Sequence, residues 1–370
     1  AALTCACERI RLGDFVPDDI EVNLGKHRFS IGLWVGQDSV PNSVADAAKA
    51  LRQGLPSTPK QLTRCPEHKD SELIWEKQDN PDRIVARCTH EGCVWAGGNK
   101  CLPVWTVDED VYTQRPSLLI GTIDKFAQVV RNSTTVALFG TDGKTQPPDL
   151  IIQDELHLIS GPLGTIAGLY ECAIDELCTR DGQRPKIIAS TATIREAQAQ
   201  IKALFDRDTG LFPPPIIDYD NSGFAVVDHD SPGRLYVGLT TAGRSAKYSL
   251  QAASASLIQS ATEGHKSGAD GADWYTTLVA YFNSLRELGG ALVLMQDVVD
   301  RTLEHLIKYR GEDRRDFLEV TELTSRVSSS EVREILDQIE VQYQKDGFID
   351  VLLASNMISV GVDISRLGLM

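Results

Sequence analysis

Residues 149–159 read DLIIQDELHLI, an apolar run that ends in two adjacent carboxylates, Asp154 and Glu155, with His157 two places further on. Open α/β sheets bind their ligands beyond the carboxyl ends of strands, which is where this pair would be placed. Adjacent acids suit hydrolysis of a nucleoside triphosphate: Asp154 would hold Mg²⁺, directly or through water, and Glu155 would orient and deprotonate the attacking water. Read alone, two acids after a strand are more often a solvated cap. The surrounding sequence has to decide.

Working outward, the strand candidate 186–190 runs into Ser190, Thr191, Ala192 and Thr193, small residues whose hydroxyls could bond the carboxylates or His157 and couple two domains. Upstream, 117–120 is followed by GTIDKF at 121–126, which places Thr122 and Lys125 after a strand, in reach of a phosphate backbone. Near the end, DVLLASNMISVGVDIS at 350–365 puts Ser355, Asn356, Gly361 and Asp363 after another apolar run, with Gly361 open to unusual backbone angles. Each segment also has a bland reading, as a helix cap, a helix start or an ordinary turn.

Further short apolar runs at 29–35, 234–239, 291–295 and 317–320 read as strands, and 43–52, 122–131 and 166–177 as helices. Short continuous apolar strands alternating with helices describe parallel sheets covered on both faces, an α/β class. A chain of 370 residues exceeds one ordinary core. Residues 211–232, LFPPPIIDYDNSGFAVVDHDSP, cannot sustain a helix or central strand and read as a linker. Residues 260–273 are glycine-rich and polar and read as a mobile surface loop.

The formal charge of −15 counts against broad electrostatic attraction to nucleic acid, although a local groove can bind phosphates on an acidic protein. No apolar run reaches bilayer length and no signal segment opens the chain, so a soluble, cytoplasmic protein without membrane contact is expected. With no secretory signal, clustered cysteines suggest metal before disulfide.

Residues 57–103 are polar, poorly periodic and cysteine-bearing, and read as an insertion. Cys65-x₂-His68 and Cys88-x₄-Cys93 form two ligand pairs of the kind zinc ribbons use, each pair on a tight turn that delivers two donors to one tetrahedral Zn²⁺. His90 or Cys101 are alternative fourth ligands. Cys5, Cys7, Cys172 and Cys178 read as core thiols, and Trp34, Trp274 and Phe282 as core aromatics.

In identity and order these segments resemble superfamily two helicases: DELH is similar to motif II (the DExH box), STAT to motif III, GTIDK to the nucleic-acid-contacting motif of the first domain, and ASNMISVGVDI to motif V. LPVWTVDEDVYTQRPSLLIGTIDKFA (102–127), WYTTLVAYFNSLRELGGALVL (274–294) and SNMISVGVDISRLGLM (355–370) resemble, more specifically, the helicase subunits of DISARM anti-phage defence systems. The resemblance spans most of 29–370 and is weakest over the insertion. It implies two RecA-like α/β domains, 1–210 with a zinc-ribbon-like insertion at 57–103 and 233–370, joined by 211–232. It further implies catalysis by Asp154, Glu155 and His157 with ATP and Mg²⁺, coupling through Ser190, Thr191 and Thr193, DNA contact by Thr122, Lys125, Ser355 and Asn356, ATP contact by Gly361 and Asp363, and a partner subunit of the defence complex.

No GxxxxGK[ST] occurs, and the motif VI arginines do not follow motif V within the chain, so an internal piece of a longer protein is expected, with little ATPase activity of its own. A non-hydrolysing nucleic-acid-binding scaffold and an RNA helicase remain the alternatives.

Overall fold

The computed structural model describes every residue except 15–22, 98–99, 157–160, 192–196, 215, 232, 234, 316–318, 325, 328, 356–363 and 365. His157, Thr193, Asn356, Gly361 and Asp363 therefore lie outside the described residues. The chain divides into two compact units, Ala1–Val227 and Asp228–Met370. Both are α/β with parallel sheets.

In the first unit, helix α1 (Ala2–Arg11) precedes strand β1 (Ile31–Trp34) and helix α2 (Val44–Gln53). α2 begins where Ser43 accepts the Asp46 N–H and ends at Gly54, whose φ of 62° closes the last turn, and it buries a face of Val44, Ala47, Ala48 and Ala50. Strands β2 (Leu73–Asp79) and β3 (Asp82–Cys88) follow, then β4 (Val104–Trp105), α3 (Asp108–Gln114) and β5 (Leu118–Gly121). β1 lies between β4 and β5 in a parallel sheet, Ile31 opposite Val104 on one side and Leu118 on the other. The stretch read as an irregular insertion contains an antiparallel hairpin, β2 with β3, from Leu73 opposite Cys88 to Asp79 opposite Asp82. Its alternation was obscured because Lys77, Arg83 and Arg87 interleave with the buried Trp75, Ile84 and Ala86.

A short helix α4 (Ile123–Phe126) continues as a 3₁₀ turn through Val130, so 122–131 is a broken helix. β6 (Leu150–Gln153) pairs in parallel with β7 (Lys186–Ala189), with α5 (Gly161–Cys178) between them in sequence and α6 (Ala197–Phe205) after. This pair forms a sheet of its own, and Leu150, Ile152 and Ile188 on one face remain 46–63% exposed, against the two-sided cover expected of parallel strands.

The second unit holds α7 (Ala246–Lys266), β8 (Leu278–Tyr281), α8 (Leu285–Val293), α9 (Asp300–Arg310), β9 (Val320–Leu323), α10 (Ser329–Ile339) and β10 (Val351–Ala354). Its parallel sheet runs β8-β10-β9. All four residues of β10 are buried, and they alternate: Val351 and Leu353 enter a core with α7, α8 and α9, Leu352 and Ala354 a core with Ile339 of α10. Beneath the sheet, Arg315 is 2% exposed and bonds Asp350, Thr262 and the Thr276 carbonyl.

Five expectations change here. Residues 291–295 are helical, because Ser284 accepts the Glu287 N–H and starts α8, so the apolar run that follows packs as a helix face. The strand of that region is Leu278–Tyr281 instead. Residues 235–239 form no regular strand, and 260–266 belong to the 21-residue helix α7, capped by Ser245, with a turn only after Lys266. Trp274 is 56% exposed on a surface 3₁₀ turn, and of the presumed core thiols Cys7 is half-buried and Cys172 exposed, its thiol donating to the Leu204 carbonyl at 3.1 Å. No helix among the described residues is long and apolar enough to cross a membrane.

Candidate functional site

The end of β6 presents the carboxylate pair as expected of a parallel strand. Asp154 is exposed and Glu155 half-buried, and the next side chain, Leu156, is 3% exposed and anchors the turn. Ser190, at the end of β7, brackets the pair with its backbone: its N–H donates to the Gln153 carbonyl at 2.9 Å and its carbonyl accepts the Leu156 N–H at 2.9 Å. The first residue of the STAT segment is thereby joined to both neighbours of Asp154–Glu155. Within this bracket the Glu155 N–H donates to Asp154 Oδ1 at 3.0 Å, and Glu155 has a φ of 52°. Such left-handed backbone is uncommon for a residue with a Cβ and clusters at functional turns. Thr191 is half-buried beside it.

Thr122 is exposed at the end of β5, but Lys125 is not presented beside it. Lys125 is 2% exposed, with Nζ 2.7 Å from Asp108 and 3.1 Å from Asn42. Its ammonium is committed inside the unit, where it cannot meet a phosphate in this arrangement. The pull is electrostatic: burial drives the Asp108 carboxyl upward, and the ammonium opposes it. In the second unit Ser355 follows β10 and donates its N–H to the Leu323 carbonyl at 3.2 Å. Among the described residues, a cavity of about 360 Å³ at the carboxyl end of β9 is lined by the acidic Glu322, Glu331 and Glu334 and by Arg326.

A second constellation lies at the open end of the hairpin, where Leu73 is opposite Cys88. Cys65, His68, Cys88 and Cys93 each offer a ligand atom, and these atoms lie within 4.8 Å of one another. Cys65 Sγ and Cys93 Sγ are 4.0 Å apart, close to the spacing of about 3.8 Å that two thiolates take around a tetrahedral Zn²⁺. Backbone amides turn toward the sulfurs: Glu67 and His68 donate to Cys65, His90 N–H to Cys88 Sγ at 3.4 Å, and Trp95 to Cys93. Burial nonetheless pushes the Cys65 thiol up and the Cys93 thiol to about 12, so without a cation these buried sulfurs stay protonated. A divalent ion reverses that balance. His68 Nδ1 is buried and makes no hydrogen bond among the described residues, an atom whose desolvation a metal would offset.

The two alternative fourth ligands are placed differently from this group. Cys101 packs in a separate cluster with Val85, Trp105 and Val111 and lies against the Arg28 guanidinium, so it is not part of the group. His90 turns its Nδ1 to the Gly92 N–H at 3.2 Å. Sequence spacing missed Glu67, which sits inside the first ligand pair and takes the Trp95 indole N–H at 2.9 Å and Arg9 at 3.4 Å, fastening α1 to the cluster.

Fold and site together define an α/β protein with parallel sheets, a carboxylate pair at a strand end and a four-ligand cysteine–histidine cluster. No family model matches the chain. It is 36% identical to the DISARM protein DrmA of Bacillus paralicheniformis, over 94% of this chain and 36% of that protein. The chain is a relative of that protein along nearly its whole length, which bears out the resemblance to a DISARM protein, and it spans about a third of the relative's length. Among solved structures, the DUF1998 helicase MrfA bound to DNA aligns with a TM-score of 0.44 at 13% identity, over 90% of this chain and 37% of that one. The helicase Lhr of Mycobacterium smegmatis, bound to ssDNA and AMP-PNP, aligns with a TM-score of 0.43 at 14% identity, over 99% of this chain and 37% of that one.

Proposed function

We propose that this chain is part of a cytoplasmic, ATP-driven DNA translocase or helicase of an anti-phage defence complex, its two units RecA-like, 1–210 and 233–370, and its hairpin module at 57–103 closed by Zn²⁺. The observation that carries the reading is the backbone bracket of Ser190 around Asp154–Glu155, which joins the ends of two parallel strands at an acidic pair. The relationship to DrmA supports the defence context.

In this reading Asp154 holds Mg²⁺, which when bound supplies charge to polarise the phosphoryl oxygens. Glu155 accepts the proton of the attacking water, its orientation set by the turn between Gln153 and Leu156. Ser190, Thr191 and Thr193 transmit the state of that turn, and His157, Gly361 and Asp363 complete the nucleotide contacts. Thr122, Ser355 and Asn356 touch DNA. Lys125 braces the strand-end turn from within instead of contacting phosphate. Cys65, His68, Cys88 and Cys93 hold Zn²⁺ and fold the hairpin onto the sheet.

The test is Glu155→Gln in the complete protein, assayed for DNA-stimulated phosphate release and for DNA binding with ATP. Hydrolysis should fall about 10²-fold or more while DNA binding persists, the loss expected when a general base is removed and binding is spared. Hydrolysis at the parental rate refutes the assignment of Glu155. A parent that binds DNA but never turns over ATP favours the scaffold.

A further inference from the structure

The metal cluster holds a second histidine that its ligand spacing does not explain. The His68 and His90 rings are stacked, centroids 4.3 Å apart and planes 13° from parallel. An imidazole nitrogen directs its lone pair in the plane of its ring. A metal bound by His68 lies in the His68 plane, and therefore a ring's thickness above the plane of His90, where no His90 lone pair points. One ion cannot take both rings. The two imidazoles have different tasks.

The surroundings say which ring does which. His68 Nδ1 is buried and unpartnered among the described residues, and its residue belongs to the group whose ligand atoms converge. His90 Nδ1 already accepts the Gly92 N–H, and the His90 backbone N–H already serves Cys88 Sγ. The turn from Cys88 to Cys93 is shaped around that ring. A Cβ on Gly92 would lie 3.2 Å from His90 Cε1 and 3.4 Å from Nδ1, so a side chain there would press on the edge of the His90 ring and shift it by a few tenths of an ångström. The torsion that turns an imidazole about its Cβ–Cγ bond is broad and weakly determined by itself, so a stacked neighbour is what fixes the plane.

We propose that His68 is the fourth metal donor through its Nδ1, and that His90 is a positioning residue that holds the His68 ring in the plane of the ion. This rests on the metal reading above. The donor set is then three thiolates and one imidazole, which suits Zn²⁺ or Co²⁺ and excludes hard cations such as Mg²⁺.

The experiment titrates the 370-residue chain with Co²⁺ followed by competing Zn²⁺, reading the visible absorption of tetrahedral Co²⁺, and records imidazole ¹⁵N shifts of the zinc-loaded protein. The parent should bind one ion, with the ¹⁵N signature of metal on His68 Nδ1 and a proton on Nε2. His90→Phe, which keeps a flat ring, should leave the cobalt spectrum unchanged and the affinity within about threefold. His90→Ala should keep the spectrum but weaken binding by about 10-fold or more, the scale of a lost supporting contact. His68→Ala should change the spectrum itself. A His90→Phe variant with an altered spectrum or no binding makes His90 a ligand and overturns the inference, as does zinc on His68 Nε2. A parent that binds no Co²⁺ at all sinks the metal reading from which the inference starts.

Discussion

Replacing Lys125 by methionine separates two accounts of the GTIDK segment. Methionine keeps the length and apolar stem of lysine and removes only the ammonium. That ammonium is 2.7 Å from Asp108 and 3.1 Å from Asn42, with side-chain exposures of 2% for Lys125 and 8% for Asp108. Its removal leaves Asp108 with the Tyr112 hydroxyl at 3.3 Å. Breaking one side of a buried pair costs about 3–5 kcal/mol, because the remaining charge is desolvated and uncompensated. Asp108→Asn in the same chain neutralises the orphan, so the double variant should recover about half of the loss, about 2 kcal/mol. Urea unfolding followed by tryptophan emission reports the first unit, which holds Trp34, Trp75, Trp95 and Trp105 of the five tryptophans. If Lys125→Met unfolds at the parental urea concentration but weakens DNA binding of the complete protein, the lysine works at the surface and the buried pairing is wrong.

Asp110, 3% exposed, has its carboxyl pushed up to about 7 by burial, with Glu109 and Asp82 adding to the rise and the Ile84 N–H and Arg83 opposing it. Its folded value exceeds the unfolded one, so its contribution to stability is fully present below about pH 4 and lost as pH rises through about 7, a span worth about 4 kcal/mol. Asp110→Asn should flatten that decline in urea midpoints taken from pH 4 to pH 8; parallel declines in parent and variant refute it. At Glu155, where φ is 52°, Gly should be more stable than Ala by about 1 kcal/mol, since both lack the carboxylate and only Ala resists the left-handed backbone. Equal unfolding midpoints for the two variants would remove the strained turn.

What could be read in the sequence follows from where the information sits. The strand runs at Ile31–Trp34, Leu150–Gln153, Lys186–Ala189 and Val351–Ala354 are short and mostly apolar, and such runs need only length and flanking turns to be recognised. The run at 291–295 has the same composition and is helical. Its deciding signal was not the apolar residues but the Ser284–Glu287 cap seven residues before them, a local hydrogen bond that composition does not register. The hairpin at Leu73–Asp79 and Asp82–Cys88 was hidden for the opposite reason. Its outward positions carry charge, so its alternation looked like polarity without period.

The site divides along a similar line. Ligands at fixed spacing, Cys65-x₂-His68 and Cys88-x₄-Cys93, converge because each turn aims its backbone amides at its own sulfurs, and local sequence controls local turns. Asp154 and Glu155 fall at the end of β6 because strand direction alone places them there. Lys125 is different. Its environment is made by Asp108 and Asn42, 17 and 83 residues away, and a sequence motif can state that a lysine follows a strand without stating which way the ammonium turns. Glu67 is the converse case, an ordinary acid between two ligands whose partners, Arg9 and Trp95, become visible only when the helix and the second ligand turn are brought beside it. Motifs therefore located the groups whose position the backbone determines. The side chains whose role depends on a distant partner required the fold.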